Sequence, residues 1–386
     1  MDVQLQPDVL RWARERAGLS QAALAKAMRV APQRVAAWEQ SGALRWTEAE
    51  ALAKKSHTPY GYLFLHEPPE ERLPIHDFRT VADHVIPQPS PNLLDTIYGM
   101  QRRQAWMRDF LIEEGARPLP FVGGATLDNT PHDVATDIRQ ALGLASGWAS
   151  KQGSWDAAFR FLRNQVEAVE VLLFINGVVD NNTRRPLEVE EFRGFVLVDD
   201  YAPLIFINGK DAVTAKIFTL LHELAHIWLG IGGVSNPDPY LIAADNREPV
   251  ERFCNMTAAE ALVPANELDE LWDVAQAEEE PFDYLARKFK VSQIVVARRA
   301  LDTNLINRET FFDFYQRLHD GNHHLAQKQS SGGDFWNNQG VRLDDRFGRA
   351  VVQATRDGRL LYHDAYSLTG LKGEAFEKFA RRIGYY

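Results

Sequence analysis

Cysteine is almost missing from this chain: Cys254 stands alone among 386 residues. A single thiol excludes an intrachain disulfide framework and agrees with a reducing compartment. Long hydrophobic runs are missing too, although 45% of the residues are hydrophobic. No stretch approaches the roughly eighteen apolar residues of a membrane-spanning helix, and no signal peptide opens the chain, so a soluble, cytoplasmic protein without membrane contact is expected. Positive charge is in short supply, with 43 Lys and Arg against 53 Asp and Glu and a net charge of −10. What remains is enough apolar material for the cores of two to three domains, the number suggested by the length.

The chemistry that is present concentrates in His222-Glu223-Leu224-Ala225-His226. These residues lie in the run 211–230, whose alanine and leucine content and closing glycine predict one helix with a C-terminal stop. Positions i and i+4 lie nearly above one another on a helix, so His222 and His226 can offer two imidazoles to one metal ion. Glu223 then falls beside that ion, near a bound water, as in zinc proteases that combine two histidine ligands with a glutamate base. A helix can also carry such residues on a solvated face for no chemical reason. Phe218, Leu221, Ala225, Ile227, Trp228 and Leu229 argue against that here, because they predict a buried helix and buried imidazoles need partners.

A catalytic zinc keeps three protein ligands and an open position, so another donor is expected downstream. The stretch from Glu248 to Pro264 reads as a second helix, with Glu251 and Asn255 one turn apart on one face. Glu251 can approach the metal while Asn255 supports a histidine from behind and fixes its tautomer. Glu248 and Glu260 are the alternatives, as a helix-start and a surface carboxylate. A thiolate at Cys254 would be a legitimate ligand. A lone buried cysteine more often acts as a small hydrophobe, however, and the position between Phe253 and Asn255 turns it away from the Glu251 face.

In order along the chain, Phe192-Arg193-Gly194, Ile207-Asn208-Gly209, Phe218-Thr219-Leu220, the pentapeptide, Glu251 to Asn255 and Leu262-Val263-Pro264 resemble the ImmA/IrrE family of metallo-endopeptidases, over about residues 155–310. The resemblance implies a zincin-like domain with Zn²⁺ as cofactor, ligands matching His222, His226 and Glu251, and Glu223 as base. Many members have alanine where this chain has Cys254, a departure that bears only on redox sensitivity.

Residues 1–65 carry a separate argument. Pro7 to Arg16 reads as a helix ended by Gly18, Ser20 caps Gln21 to Met28, and Arg29-Val30 forms a turn. Pro32 opens Gln33 to Gln40, Gly42 ends it, Thr47 starts a fourth helix and Pro59 a fifth. Two short helices joined by a tight turn in a five-helix unit follow the helix-turn-helix plan. The stretches Gly18 to Ala25 and Val35 to Glu39 resemble the Cro/repressor-like (XRE) DNA-binding domain, with Gln33 and Arg34 as exposed DNA-contacting residues and Val30, Val35 and Trp38 inside. Through Tyr60 nine basic residues stand against six acidic ones. That mild excess permits DNA binding, but it neutralises few phosphates, so specific binding calls for a homodimer or a partner.

Elsewhere, residues 66–154 read as a helical connector. It holds proline-marked stretches at 73–80 and 85–91, where His76 and Asp77 read as cap or turn residues, and a long amphipathic helix from Asn92 to Glu114. A helix from Ala157 to about Val169 and β-branched runs at 169–175, 195–198 and 204–207 predict a small antiparallel sheet, whose edge in zincins can receive substrate as an added strand. Residues 282–306 read as a second helix-turn-helix-like unit that exposes Lys288, Lys290, Arg298 and Arg299; the unit resembles the segment after the metal helices in the ImmA/IrrE family, which implies that it packs beside the cleft and does not read DNA. Residues 311–386 read as a flexible linker at 327–333 and a helical C-terminal extension from Asp344. The expected fold class is α+β, mostly α: an N-terminal helix-turn-helix domain, a zincin-like domain with a small antiparallel sheet, and the C-terminal helices.

The expected function is that of a zinc-dependent endopeptidase fused to a DNA-binding domain, acting in gene regulation or stress response by cleaving a regulatory protein such as a co-encoded repressor. The alternative is a transcriptional regulator or antitoxin, paired with a PIN-like ribonuclease toxin, that keeps the zinc fold as a sensing or binding platform with little proteolysis. A purely structural zinc site conflicts with Glu223, since a closed site has no use for a base. Candidates to stabilise an oxyanion are Tyr201, Tyr240, Arg247 and His363.

Overall fold

The structure, a computed structural model, describes residues 2–79, 88–237, 248–322 and 343–385. It divides into two compact units, Met1–Pro74 with Ile86–Tyr98 and Ile75–Val85 with Gly99–Tyr386.

The first unit contains α1 (Pro7–Arg16), α2 (Gln21–Met28), α3 (Pro32–Ser41), α4 (Trp46–Ser56) and a 3-10 turn at Tyr60–Phe64. Local chemistry sets the ends. Ser20 Oγ accepts from the Ala23 amide at 3.1 Å to start α2, and Arg29 closes that helix in the left-handed region. Gly42 closes α3 at φ 72°, where a Cβ would lie 2.0 Å from the Leu5 carbonyl oxygen. Leu10, Leu24, Val35, Trp38 and Leu52 share one core, with Val30 packed against it. The expected fifth helix is only the short 3-10 turn, in which Gly61 disfavours a longer helix. A ribbon the sequence did not announce, β1 (Asp2–Gln4) antiparallel to β2 (Ala43–Arg45), ties the first residues to the end of α3.

In the second unit, β3 (His76–Asp77), β4 (Leu172–Asn176), β5 (Gly194–Leu197), β6 (Leu204–Asn208) and β7 (Gly233–Ser235) form one sheet in the order β3-β7-β5-β6-β4. Its centre, β5 between β6 and β7, is antiparallel as expected, while the outer pairs β4–β6 and β3–β7 run parallel. β5 and β6 form a hairpin, and β4 joins the far side of β6 instead of pairing with β5. His76 and Asp77 are thus a strand as well as a turn, with Asp77 Oδ1 accepting from the Arg79 amide at 3.1 Å.

α5 (Pro91–Glu113) starts in the first unit and ends in the second, and α6 (Pro131–Ala141), α7 (Trp155–Ala168), α8 (Val213–Leu229) and α9 (Pro249–Leu262) follow in the second. α8 packs on β5 and β6 and also against α6, α7 and α9. Every residue from Ile217 to Leu229 is therefore buried, which explains why the run is apolar all round and not along one stripe. Residues placed in the connector by sequence, Val134, Ala135, Ile138 and Trp148, enter this same core.

Beyond α9 come α10 (Ala265–Gln276), α11 (Pro281–Phe289), α12 (Gln293–Asp302) and α13 (Arg308–Asn322). Ser292 caps α12 as expected, but the exposure expected for its basic residues does not hold. Lys290 is buried, and Lys288, Arg298 and Arg299 are only partly exposed. Lys290 occupies the left-handed turn with its ammonium 5.6 Å from the Trp155 ring, while Arg299 reaches the Val263 carbonyl at 3.0 Å and pairs with Glu260. These cations serve the packing of the domain, through aliphatic stems and local acceptors.

Asp344 joins the C-terminal helices Asp345–Arg356, Tyr362–Thr369 and Glu374–Arg382 to the sheet. Its carboxylate accepts from the Phe347 amide at 2.8 Å, capping the first helix, and from the Leu173 amide of β4 at 3.0 Å. The expected linker at 327–333 lies outside the described residues. Among the described residues no helix is long and apolar enough to cross a membrane.

Candidate metal centre

α8 and α9 bring His222, His226 and Glu251 into one buried cluster, with one ligand atom from each lying within 4.8 Å of the others. His226 Nε2 lies 3.1 Å from His222 Nε2 and 3.0 Å from Glu251 Oε1, and His222 Nε2 lies 3.5 Å from Glu251 Oε2. Donors about 2.1 Å from a tetrahedral ion stand about 3.4 Å apart, so these spacings suit a single ion.

The far side of each imidazole shows which nitrogen is free. His226 Nδ1 donates to the Ile231 carbonyl at 3.1 Å, and His222 Nδ1 donates to Asn255 Oδ1 at 3.1 Å. A carbonyl oxygen only accepts, so the proton sits on Nδ1 and Nε2 presents its lone pair to the cluster. Burial lowers the pKa of His222 against the opposing charge of Glu251, which favours the neutral ring that a ligand must be. Two lone pairs and a carboxylate thus converge, an arrangement that a cation completes. Burial, and then the charges of Glu251 and Glu223, push the Cys254 thiol well above its ordinary value. It is a protonated core residue in this environment.

Glu223 is completely buried; among the described residues no hydrogen bond of normal geometry reaches its carboxyl oxygens, and the Ser235 hydroxyl only partly favours its charged form. Burial first, and Glu251 second, raise its pKa well above the ordinary carboxylate value. Such a group costs folding energy and is characteristic of sites that act on something outside the protein. Gly194 of β5 makes room for it. A Cβ there would lie 2.8 Å from Glu223 Oε1 and 2.7 Å from Thr219 Cγ2.

Two further residues touch the cluster. Ser235 Oγ lies 3.4 Å from Glu251 Oε1, and the Phe78 ring stacks on His226 with centroids 5.3 Å apart. Sequence reading gave no role to Gly194, Ser235 or Phe78. Gly194 sat inside a stretch singled out for its resemblance, a signal that pointed to it without explaining it; Phe78 and Ser235 carried none.

The other candidates fall elsewhere. Glu248 is exposed at the start of α9, and Glu260 is taken up by His132 Nδ1 at 2.9 Å and by Arg299. Tyr201 is half-buried in a turn, its amide donating to Asp199 Oδ1 at 2.9 Å. The His363 side chain is 92% exposed, so it is not brought to a cluster that has almost no exposed surface. Tyr240 and Arg247 lie outside the described residues. On α3, Gln33 and Arg34 are both exposed, and Arg34 Nε donates to Glu48 Oε1 at 2.8 Å.

Residues 181–301 match the peptidase family model described as the IrrE N-terminal-like domain, and residues 10–58 match a helix-turn-helix model. The chain carries an IrrE N-terminal-like domain behind a helix-turn-helix domain. The three-donor cluster, Glu223 and Asn255 all fall within the IrrE N-terminal-like domain; Gln33 and Arg34 fall within the helix-turn-helix domain, which supports DNA binding. Residues 343–382 match a domain of unknown function, DUF8813. No curated protein and no solved structure matches the chain.

Proposed function

We propose that this protein is a zinc-dependent endopeptidase coupled to a DNA-binding domain, and that it acts in the cytoplasm in gene control by cutting a regulatory protein. The observation that carries the reading is Glu223: a completely buried carboxyl whose oxygens accept no hydrogen bond of normal geometry, next in sequence to a histidine of a three-donor cluster. Bound by His222, His226 and Glu251, Zn²⁺ supplies a Lewis acid for the scissile carbonyl and for a water. Asn255 and the Ile231 carbonyl keep the two Nε2 lone pairs aimed inward. Glu223 takes a proton from the attacking water and delivers it to the leaving amine nitrogen. Gln33 and Arg34 contact DNA bases, with a homodimer or partner adding the phosphate contacts that the modest charge of residues 1–65 does not provide. In this reading residues 155–310 carry the peptidase site, α6 and β3 from the 66–154 segment complete its core and sheet, and 311–386 extend it.

The test is metal analysis of the purified protein, together with the fate of the neighbouring gene's regulator in cells carrying wild type or Glu223→Gln. Zinc is expected at one ion per chain in both, with cleavage reduced about 10²–10⁴-fold in the variant, the usual span for loss of a general base. A preparation without zinc, or cleavage undiminished in Glu223→Gln, sinks the proposal. The fused helix-turn-helix domain favours a second reading, because an enzyme that only cuts a repressor need not bind DNA itself. As an antitoxin, the Glu223→Gln variant would neutralise a co-encoded PIN-like ribonuclease toxin as well as wild type does.

A further inference from the structure

The segment 76–79 touches the metal centre, yet it supplies no ligand to it. His76 and Asp77 pair in parallel with Gly233 and Val234 of β7, and the Phe78 amide donates to the Val234 carbonyl at 2.9 Å. β7 runs beside the site. It starts just past Ile231, whose carbonyl holds His226, and ends at Ser235 beside Glu251. The outer edge of β7 is therefore where an extended peptide would lie to cross the cluster, and β3 already occupies it.

Side chains strengthen this occupation. The Phe78 ring lies between two imidazoles, with centroids 5.3 Å from His226 and 5.7 Å from His76, in both cases nearly parallel. Gly233 leaves the space for it, since a Cβ there would fall 2.3 Å from the Phe78 ring. The next residue, Arg79, is buried and held by Asp77 at 2.7 and 2.8 Å and by Glu191 at 3.5 Å. Under this cover His222, Glu223 and His226 show no exposed surface.

We propose that residues 76–79 are an inhibitory strap that fills the substrate strand position on β7 and plugs the approach to His226 with Phe78; the proposal rests on the peptidase reading above. A working peptidase needs a free edge and an open position at its metal, and the strap withholds both. Its hold is local: two ladder residues, one ring and one buried arginine. A strand this short is marginal by itself, so the strap opens at far less cost than the domain unfolds. A regulator or substrate that binds better to the opened form shifts the balance without any change at the metal ligands.

The test uses the full-length protein loaded with Co²⁺ and follows binding of acetohydroxamate, a small metal-directed chelator, through the visible spectrum of the cobalt. Wild type is compared with Phe78→Ala, which removes the plug, and Arg79→Gln, which loosens the anchor and leaves the core ring in place. Cobalt is expected at one ion per chain in all three, with acetohydroxamate binding at least about tenfold tighter in the two variants, a difference of about 1.4 kcal/mol. Equal affinity in wild type and in whichever variants retain one cobalt overturns the strap while leaving the metal reading intact. Failure of the wild type to bind cobalt overturns the metal reading, and the strap with it.

Discussion

Each unit of this protein buries a cluster of ionisable side chains, and the two clusters are finished differently. In the helix-turn-helix unit, Arg14 donates to both oxygens of Glu39 at 2.6 and 3.1 Å, Gln21 donates to Glu39 at 2.7 Å, and Arg14 also donates to the Leu19 carbonyl at 2.9 Å. Cation meets anion, and both carboxylate oxygens of Glu39 are used. In the second unit, His222, His226 and Glu251 turn lone pairs toward one another, and no hydrogen bond of normal geometry reaches the Glu223 oxygens among the described residues. The first cluster is complete within the protein and holds α1 to α3. The second is complete only when something joins it. Burial alone therefore does not separate structural from functional charge; whether the protein satisfies its own groups does.

Breaking the closed cluster should give the largest effect. Arg14→Ala leaves Glu39 buried without its cation, and a loss of about 3–5 kcal/mol in the stability of the helix-turn-helix unit is expected, measured by urea unfolding of the full chain. A loss within experimental error would mean that this cluster is no more self-sufficient than the other. Asn255→Ala comes next. It frees His222 Nδ1 without touching a ligand, and zinc affinity should fall by about 10–100-fold in chelator competition, with helix content unchanged. An unchanged affinity would show that the Ile231 and Asn255 contacts do not prepare the rings.

Glu223→Gln in metal-free protein has an effect that vanishes near pH 4.5 and grows only with pH, which makes it the sharpest contrast. A carboxyl whose folded pKa is raised contributes stability that is fully present below its unfolded value, near 4.5, and is lost as pH rises through the folded value. Wild type should therefore lose stability relative to the variant as pH climbs above about 4.5, by at most about 1.4 kcal/mol per pH unit, in thermal melts across that range. Parallel pH profiles for the two proteins would show that Glu223 finds a partner in solution.

Much of this was legible in local sequence. The i, i+4 spacing of His222 and His226, the glycine stop at Gly230, the Ser20 cap and the Glu251–Asn255 face all follow from helix geometry, which acts over a few residues. What was not legible depends on distant partners. Nothing near His76 marks it as a strand, because its pairing partner Gly233 lies on the far side of the sheet-forming region in sequence. Lys290 reads as a surface cation until Trp155 is brought beside it. The run that becomes β4 reads as part of an antiparallel sheet, because short apolar runs carry no record of which neighbour they join, and it pairs in parallel with β6.

By itself the amino-acid sequence determined the two helical frameworks and the chemistry of the pentapeptide, because helix caps and i, i+4 neighbours are set by short-range bonding and sterics. Only the tertiary structure decided that Glu251, and not Glu260 or Glu248, faces the histidines, that Gly194 clears a place for Glu223, and that Phe78 lies across His226. Those outcomes depend on how α8, α9 and the sheet pack. Packing brings together groups whose separation along the chain says nothing about their distance in space.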